Sequence, residues 1–145
     1  MNFASQDERK AANGNYFTLP NVVFHLGLTT GELATYAYLL RCENRKNYQC
    51  RPSYKKIGEA IGKTKNAVKT YVDGLRDKGL IKTEPTTKTA KDGTVLNGNL
   101  LYTILPIENA IREHNERQNY LSEIESRRQK IRQLSLKKGV TFKAG

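Results

Sequence analysis

Lys65, Asn66, Lys69 and Thr70 cluster on one side of a stretch whose apolar residues keep helical spacing. Their shared chemistry is donation. An asparagine amide can pair with adenine through two hydrogen bonds, and a lysine ammonium can donate to N7 or O6 of guanine. Around them Arg51, Ser53, Tyr54, Lys55, Lys56, Lys63 and Thr64 supply cations and hydroxyls of the kind that hold phosphate oxygens. Lys88 and Lys91 add two more cations further along. The first four are the candidate base readers. The rest are the candidate phosphate contacts.

The composition points to the same polyanion. Lys and Arg number 25 against 14 Asp and Glu, a net charge of +11. The excess is concentrated: Arg41–Lys82 holds twelve basic residues and four acidic ones. Such a patch attracts nucleic acid and releases counterions when it binds.

Other chemistries find little support. There is no phosphate-cradling G-x-x-x-x-G-K-[ST] and no H-E-x-x-H. His25 and His114 are the two histidines, and the sequence offers no Cys/His nucleophile setting and no plausible carboxylate cluster. Cys42 and Cys50 are too few for a disulfide framework or a four-ligand metal site. The expectation is therefore a protein that is not an enzyme, with no catalytic residue, no metal and no cofactor. No apolar run is long enough to span a membrane, and the first residues lack a signal pattern. The expected location is the cytoplasm.

The elements that position the donors centre on Arg51–Ile81. Pro52 and Ser53 open a first short helix, and Ile57, Ala60 and Ile61 give it an apolar edge. Gly58 is small enough for a close helix crossing. Gly62 permits the left-handed turn that ends the helix. Thr64 caps a second helix, in which Val68, Tyr71, Val72 and Leu75 form the core face. Its exposed N-terminal half carries the base-reading candidates, with Asp73 on the same side. Gly79 stops that helix before a strand at Leu80–Glu84, closed by Pro85.

This pattern resembles the winged helix-turn-helix module of bacterial, phage and plasmid proteins, through PSYKKIGEAIG, KTKNAVKTYVDGL and DKGLI. The resemblance implies an α+β fold, mainly α, with a β-hairpin wing and a recognition helix that enters a major groove. It also implies a one- or two-residue strand near Tyr48–Arg51. The lead-in YFTLPNVVFHLGLTTGELATYAYLLR looks like that of plasmid and phage replication-initiator winged helices, where a short strand, a proline turn and a long helix precede the motif.

The remaining segments fit this frame. Residues 1–15 read as a flexible arm, in which Arg9 and Lys10 could touch phosphate. Residues 16–106 are the expected winged domain. Within it, Tyr16–Leu19 is a β-type run and Asn21–Leu28 a short helix or turn. Thr29 or Thr30 caps a long helix with the stripe Leu33, Tyr36, Ala37 and Leu40; Tyr36 on that stripe reads as core rather than as a base-stacking platform. Arg45 and Lys46 lie in a polar loop within reach of a phosphate. Thr86–Asn97 is the wing loop, with turn signals at Asp92-Gly93 and Asn97-Gly98, and Leu100–Leu105 returns. Residues 107–138 contain no Pro or Gly and read as one long helix, with 139–145 as a tail.

That helix cannot lie wholly on a domain of about 100 residues, whose radius of gyration is only about 13 Å. Ile107 and Ile111 can dock it. Tyr120, Leu121, Ile124, Ile131 and Leu134 form an imperfect apolar repeat, interrupted by Arg117 and Arg128. The expected partner there is a second copy, giving a homodimer. Beyond Glu125 the charge is all basic, through Arg127, Arg128, Lys130, Arg132, Lys137, Lys138 and Lys143, which suits nucleic acid or an acidic protein. The expected function is sequence-specific binding of double-stranded DNA by a transcriptional regulator. A replication-initiation module of a plasmid, phage or integrated element is the alternative reading, since one fold serves both.

Overall fold

The computed structural model describes residues 16–137. The expected arm at 1–15, with Arg9 and Lys10, lies outside the described residues, as do Lys138, Lys143 and the tail at 139–145.

A 3-10 turn at Asn21–His25 leads into α1, Thr30–Cys42. A two-residue strand β1, Gln49–Cys50, then precedes α2, Tyr54–Ile61, and α3, Lys65–Asp77. The sheet continues with β2, Ile81–Glu84, a short hairpin of β3, Thr87–Thr89, and β4, Val95–Asn97, and then β5, Leu101–Ile104. A last helix, α4, runs from Ile107 to Lys137. Strands β1, β5 and β2 form one antiparallel sheet in that order, and β3 pairs with β4 in a second. Three helices backed by this sheet, with a hairpin reaching outward, make a winged helix-turn-helix. The fold is mainly α, as the sequence predicts.

The core is Val23, Leu26, Tyr36, Leu39, Ile57, Val68, Val72, Leu75, Leu80, Ile81, Tyr102 and Ala110, with Cys50 at its edge. Every helix and the sheet contribute to it. Burial of these side chains is the main favourable term holding the layers together.

Local signals set the ends of the helices. Thr29 and Glu32 form a reciprocal capping box at α1. Ser53 Oγ accepts from the Lys56 amide, and Thr64 Oγ1 from the Ala67 amide. Gly62 ends α2 at φ 72°, a left-handed conformation that a side chain would strain.

Several packing expectations change. Tyr16–Leu19 forms no strand; it runs irregularly beside the core, without a partner strand to pair its backbone. The buried face of α1 is Gly31, Glu32, Thr35, Tyr36 and Leu39, so Leu33, Ala37 and Leu40 sit at its flanks. The face is rotated because Glu32 is buried as a paired group, which hydropathy alone cannot reveal. In α2, Ala60 is exposed and Gly58 takes the buried place. A Cβ on Gly58 would fall 2.4 Å from the Lys63 carbonyl oxygen, so the close approach is to the backbone of the turn, while Val68 of α3 stands at an ordinary 3.6 Å. Tyr71 packs against α1: a Cβ on Gly31 would lie 2.1 Å from its ring.

The wing is longer than one pair of strands. β2 and β5 form its base, with Lys82 opposite Thr103, and β3–β4 form its tip. Asp92-Gly93 makes the hairpin turn, where Asp92 Oδ1 accepts from the Thr94 amide and Gly93 has φ 86°. Asn97-Gly98 is not a reversal. The Gly98 amide donates to the Thr86 carbonyl, and the chain continues from tip to base.

Candidate nucleic-acid interface

Helix α3 divides cleanly. Val68, Val72 and Leu75 are buried, whereas Lys65, Asn66, Lys69 and Thr70 are exposed. The four base-reading candidates thus share one open surface on the first turns of the helix. Their donors differ in freedom. The Thr70 hydroxyl donates to the Asn66 carbonyl at 3.2 Å, so it offers a partner its lone pairs. Asp73 is half-buried further along and pairs with Arg76 at 3.1 Å, while Arg76 also donates to Thr83 Oγ1 at 2.9 Å. That bridge ties the end of α3 to β2, so Arg76 belongs to the scaffold.

The phosphate candidates fall into three settings. Lys55, Lys56 and Lys63 are exposed on α2 and on the turn that leads into α3. Ser53 and Thr64 use their side-chain oxygens as caps; each keeps a hydroxyl proton to donate. Lys88 and Lys91 are exposed on the wing tip, with Lys88 opposite Leu96. Arg51 is also exposed, and its carbonyl accepts from Asn99 in the wing base. Tyr54 is different. It is half-buried against the core, and burial first, then Asp73, raise its phenol pKa while Arg76 opposes them. Packing is its evident role. Arg45 and Lys46 lie exposed in the loop between α1 and β1.

Two structural supports were not legible as such in the sequence. The Glu32 carboxylate closes the capping box and holds Lys78 at the end of α3. Lys78 also donates to the Gly27 carbonyl at 3.1 Å. Burial alone would raise the Glu32 carboxyl; Lys78 and Thr29 outweigh it and leave it below the usual carboxylate value. On the wing, Val95 and Leu96 expose apolar side chains beside the lysines. The sequence places both in the wing loop, where nothing marks them as an exposed apolar pair.

Among the described residues no group of His, Cys, Asp and Glu could hold a metal ion, and no helix is long and apolar enough to cross a membrane. Cys50 is buried, and burial first, then Cys42 and Glu43, push its thiol up to about 12.

A family model described as a helix-turn-helix domain matches residues 26–81, which span α1 to the start of β2. The fold is that of a winged helix-turn-helix, and the match falls on its helix-turn-helix portion. Among solved structures, a possible transcriptional regulator from Methanosarcina mazei Go1 is 13% identical, with a TM-score of 0.48 over 75% of this chain and 83% of that one. The N-terminal domain of a DNA binding protein is 20% identical, with a TM-score of 0.45 over 82% and 96%. A transcriptional regulator of the MarR family from Silicibacter pomeroyi is 17% identical, with a TM-score of 0.40 over 81% and 79%. No curated protein matches the chain in sequence.

Proposed function

We propose that this chain is a transcriptional regulator that binds double-stranded DNA sequence-specifically. The observation that carries the reading is the split of α3. One face is sealed in the core, and the other presents Lys65, Asn66, Lys69 and Thr70 to solvent. A helix with this geometry fits a major groove with its N-terminal residues toward the base edges. Lys55, Lys56, Lys63 and Arg51 flank it as phosphate contacts, and Lys88 and Lys91 reach a neighbouring stretch of backbone from the wing. Ser53 and Thr64 add hydroxyl donors at the helix starts. No observation favours the replication-initiation alternative over this one.

The assembly that binds is a homodimer formed through α4. At about 1.5 Å per residue the helix is about 46 Å long. Ile107, Ala110 and Ile111 hold its first turns to the core, Glu113 and His114 lie beside Gly79 and Gly27, and the helix is exposed from Asn115 to Glu123 and almost throughout beyond. Tyr120, Leu121, Ile131 and Leu134 are exposed on that stretch. A second α4 covers such residues at modest entropic cost, since the helix is already formed. A dimer implies two half-sites in the bound DNA.

Selection of duplex from a random pool, at stated salt, tests the proposal. A shared motif with two half-sites is expected. Retention of all sequences alike would leave a general polyanion binder in its place.

A further inference from the structure

Helix α4 carries four charged residues set seven apart, Glu116, Glu123, Lys130 and Lys137, all of them exposed. Two acids come first and two bases follow. Seven residues make two turns of a helix that winds around a neighbour, so the four share one edge of a single stripe. The stripe itself runs through Arg117, Tyr120, Ile124, Arg127, Ile131 and Leu134, at alternating intervals of three and four. Tyr120, Ile131 and Leu134 are each more than half exposed in the single chain.

The two arginines on the stripe decide the direction of a neighbouring copy. In a parallel pair each position meets itself, so Arg117 would face the partner's Arg117 and Arg127 the partner's Arg127 across the seam. Beyond Glu125 the described helix holds Arg127, Arg128, Lys130, Arg132 and Lys137 and no acid. Packed helices lie roughly 8–10 Å apart, about one Debye length, so two such ends side by side repel. Reversing one helix removes both conflicts. With the pair centred between Glu125 and Ser126, Tyr120 meets the partner's Ile131. Ile124 meets the stem of the partner's Arg127, and the stem of Arg117 covers the partner's Leu134. The head of Arg127 keeps its own Glu123 at 3.4 Å. Along the edge, Glu116 stands by the partner's Lys137 and Glu123 by the partner's Lys130, each twice by symmetry.

We propose that the exposed stretch of α4 takes a second copy of this chain in the antiparallel direction, centred between Glu125 and Ser126. The proposal rests on the homodimer reading above and gives it a geometry. The charge pattern selects the occupant, because two acids followed by two bases are complementary to their own reverse. The two winged domains then sit at opposite ends of the pair. Their attachment points at Ile107 stand about 55 Å apart, at about 1.5 Å per residue. A parallel pair would hold them side by side.

Disulfide trapping in the full chain reads the direction, with the unsubstituted chain as the control for Cys42 and Cys50. Tyr120→Cys alone and Ile131→Cys alone should give no covalent dimer above that control, because like positions lie about 16 Å apart. An equal mixture of the two variants should give a covalent heterodimer. Sedimentation supplies a second readout. Lys130→Glu with Lys137→Glu should weaken the dimer at least tenfold, and adding Glu116→Lys with Glu123→Lys should restore it. A sedimenting dimer that yields no mixed product, whose single variants cross-link with themselves, or whose fourfold variant stays as weak as the double one, would overturn the direction and leave the homodimer standing. A full chain that is monomeric at every concentration would overturn both, and would leave the basic end of α4 to nucleic acid or an acidic protein.

Discussion

The ammonium of Lys78 lies 2.5 Å from Oε1 of Glu32, joining the start of α1 to the end of α3 across 46 residues of sequence. The same Oε1 accepts from the Thr29 amide at 2.8 Å. On the opposite side Gly74 leaves room for the carboxylate: a Cβ there would stand 1.7 Å from Glu32 Oε2. The helix that carries the base-reading candidates is thus held at its far end by one buried charge.

Gly74→Ala should destabilise the fold, because the carboxylate is pinned by Thr29 and Lys78 and cannot swing away. A loss of about 1–3 kcal/mol is expected in urea unfolding. Combining it with Glu32→Ala should cost less than the two single losses together, since truncation of Glu32 removes the clash. Strict additivity would show that the collision is relieved some other way.

Stability should respond to acid through Glu32 and Glu43 in opposite senses. The Glu32 carboxyl is lowered in the fold, so its contribution is present above the ordinary value of 4.5 and is lost as pH falls through the folded value. The Glu43 carboxyl is raised, so its penalty is full above the folded value and vanishes below 4.5. Glu32→Gln should therefore lower Tm at neutral pH, by an amount that shrinks in acid. Glu43→Gln should raise Tm at neutral pH, with the same shrinkage. Melting curves from pH 3 to pH 7 measure both.

Lys69→Ala and Asn66→Ala should reduce affinity for the selected site by about 1–3 kcal/mol each while relaxing base preference. Lys88→Ala should weaken all sequences alike and lower the salt slope by about 1. Equal losses on selected and random duplex for all three variants would remove the base-reading roles from Lys69 and Asn66.

The dimer should depend on the exposed part of α4 alone. Truncation after Glu116 keeps Ile107, Ala110 and Ile111 in place, and it retains Glu113, whose carboxylate lies beside Gly79. That chain should stay folded and run as a monomer in sedimentation, while the full chain runs as a dimer. Leu121→Glu with Ile124→Glu should do the same without shortening the helix. A full chain that sediments as a monomer at all concentrations would end the proposal.

What the sequence determined by itself was local. Ser53, Thr64, Gly62 and Gly79 fix helix ends through bonds and dihedrals within a few residues, so their reading needs no partner. The periodicity of Val68, Val72 and Leu75 likewise fixed which side of α3 would be open, because one apolar face leaves the other to water. The long α4 followed from the absence of Pro and Gly. The tertiary structure decided matters that depend on distant segments. Glu32 could be buried only with Lys78 beside it, and that pairing turned the inner face of α1 away from Leu33, Ala37 and Leu40. Tyr71 met α1 because Gly31 left space for its ring. The cleft lined by Leu19, Leu40, Tyr48 and Ile107 draws on four separate stretches, and no spacing along the chain encodes an opening between residues so far apart.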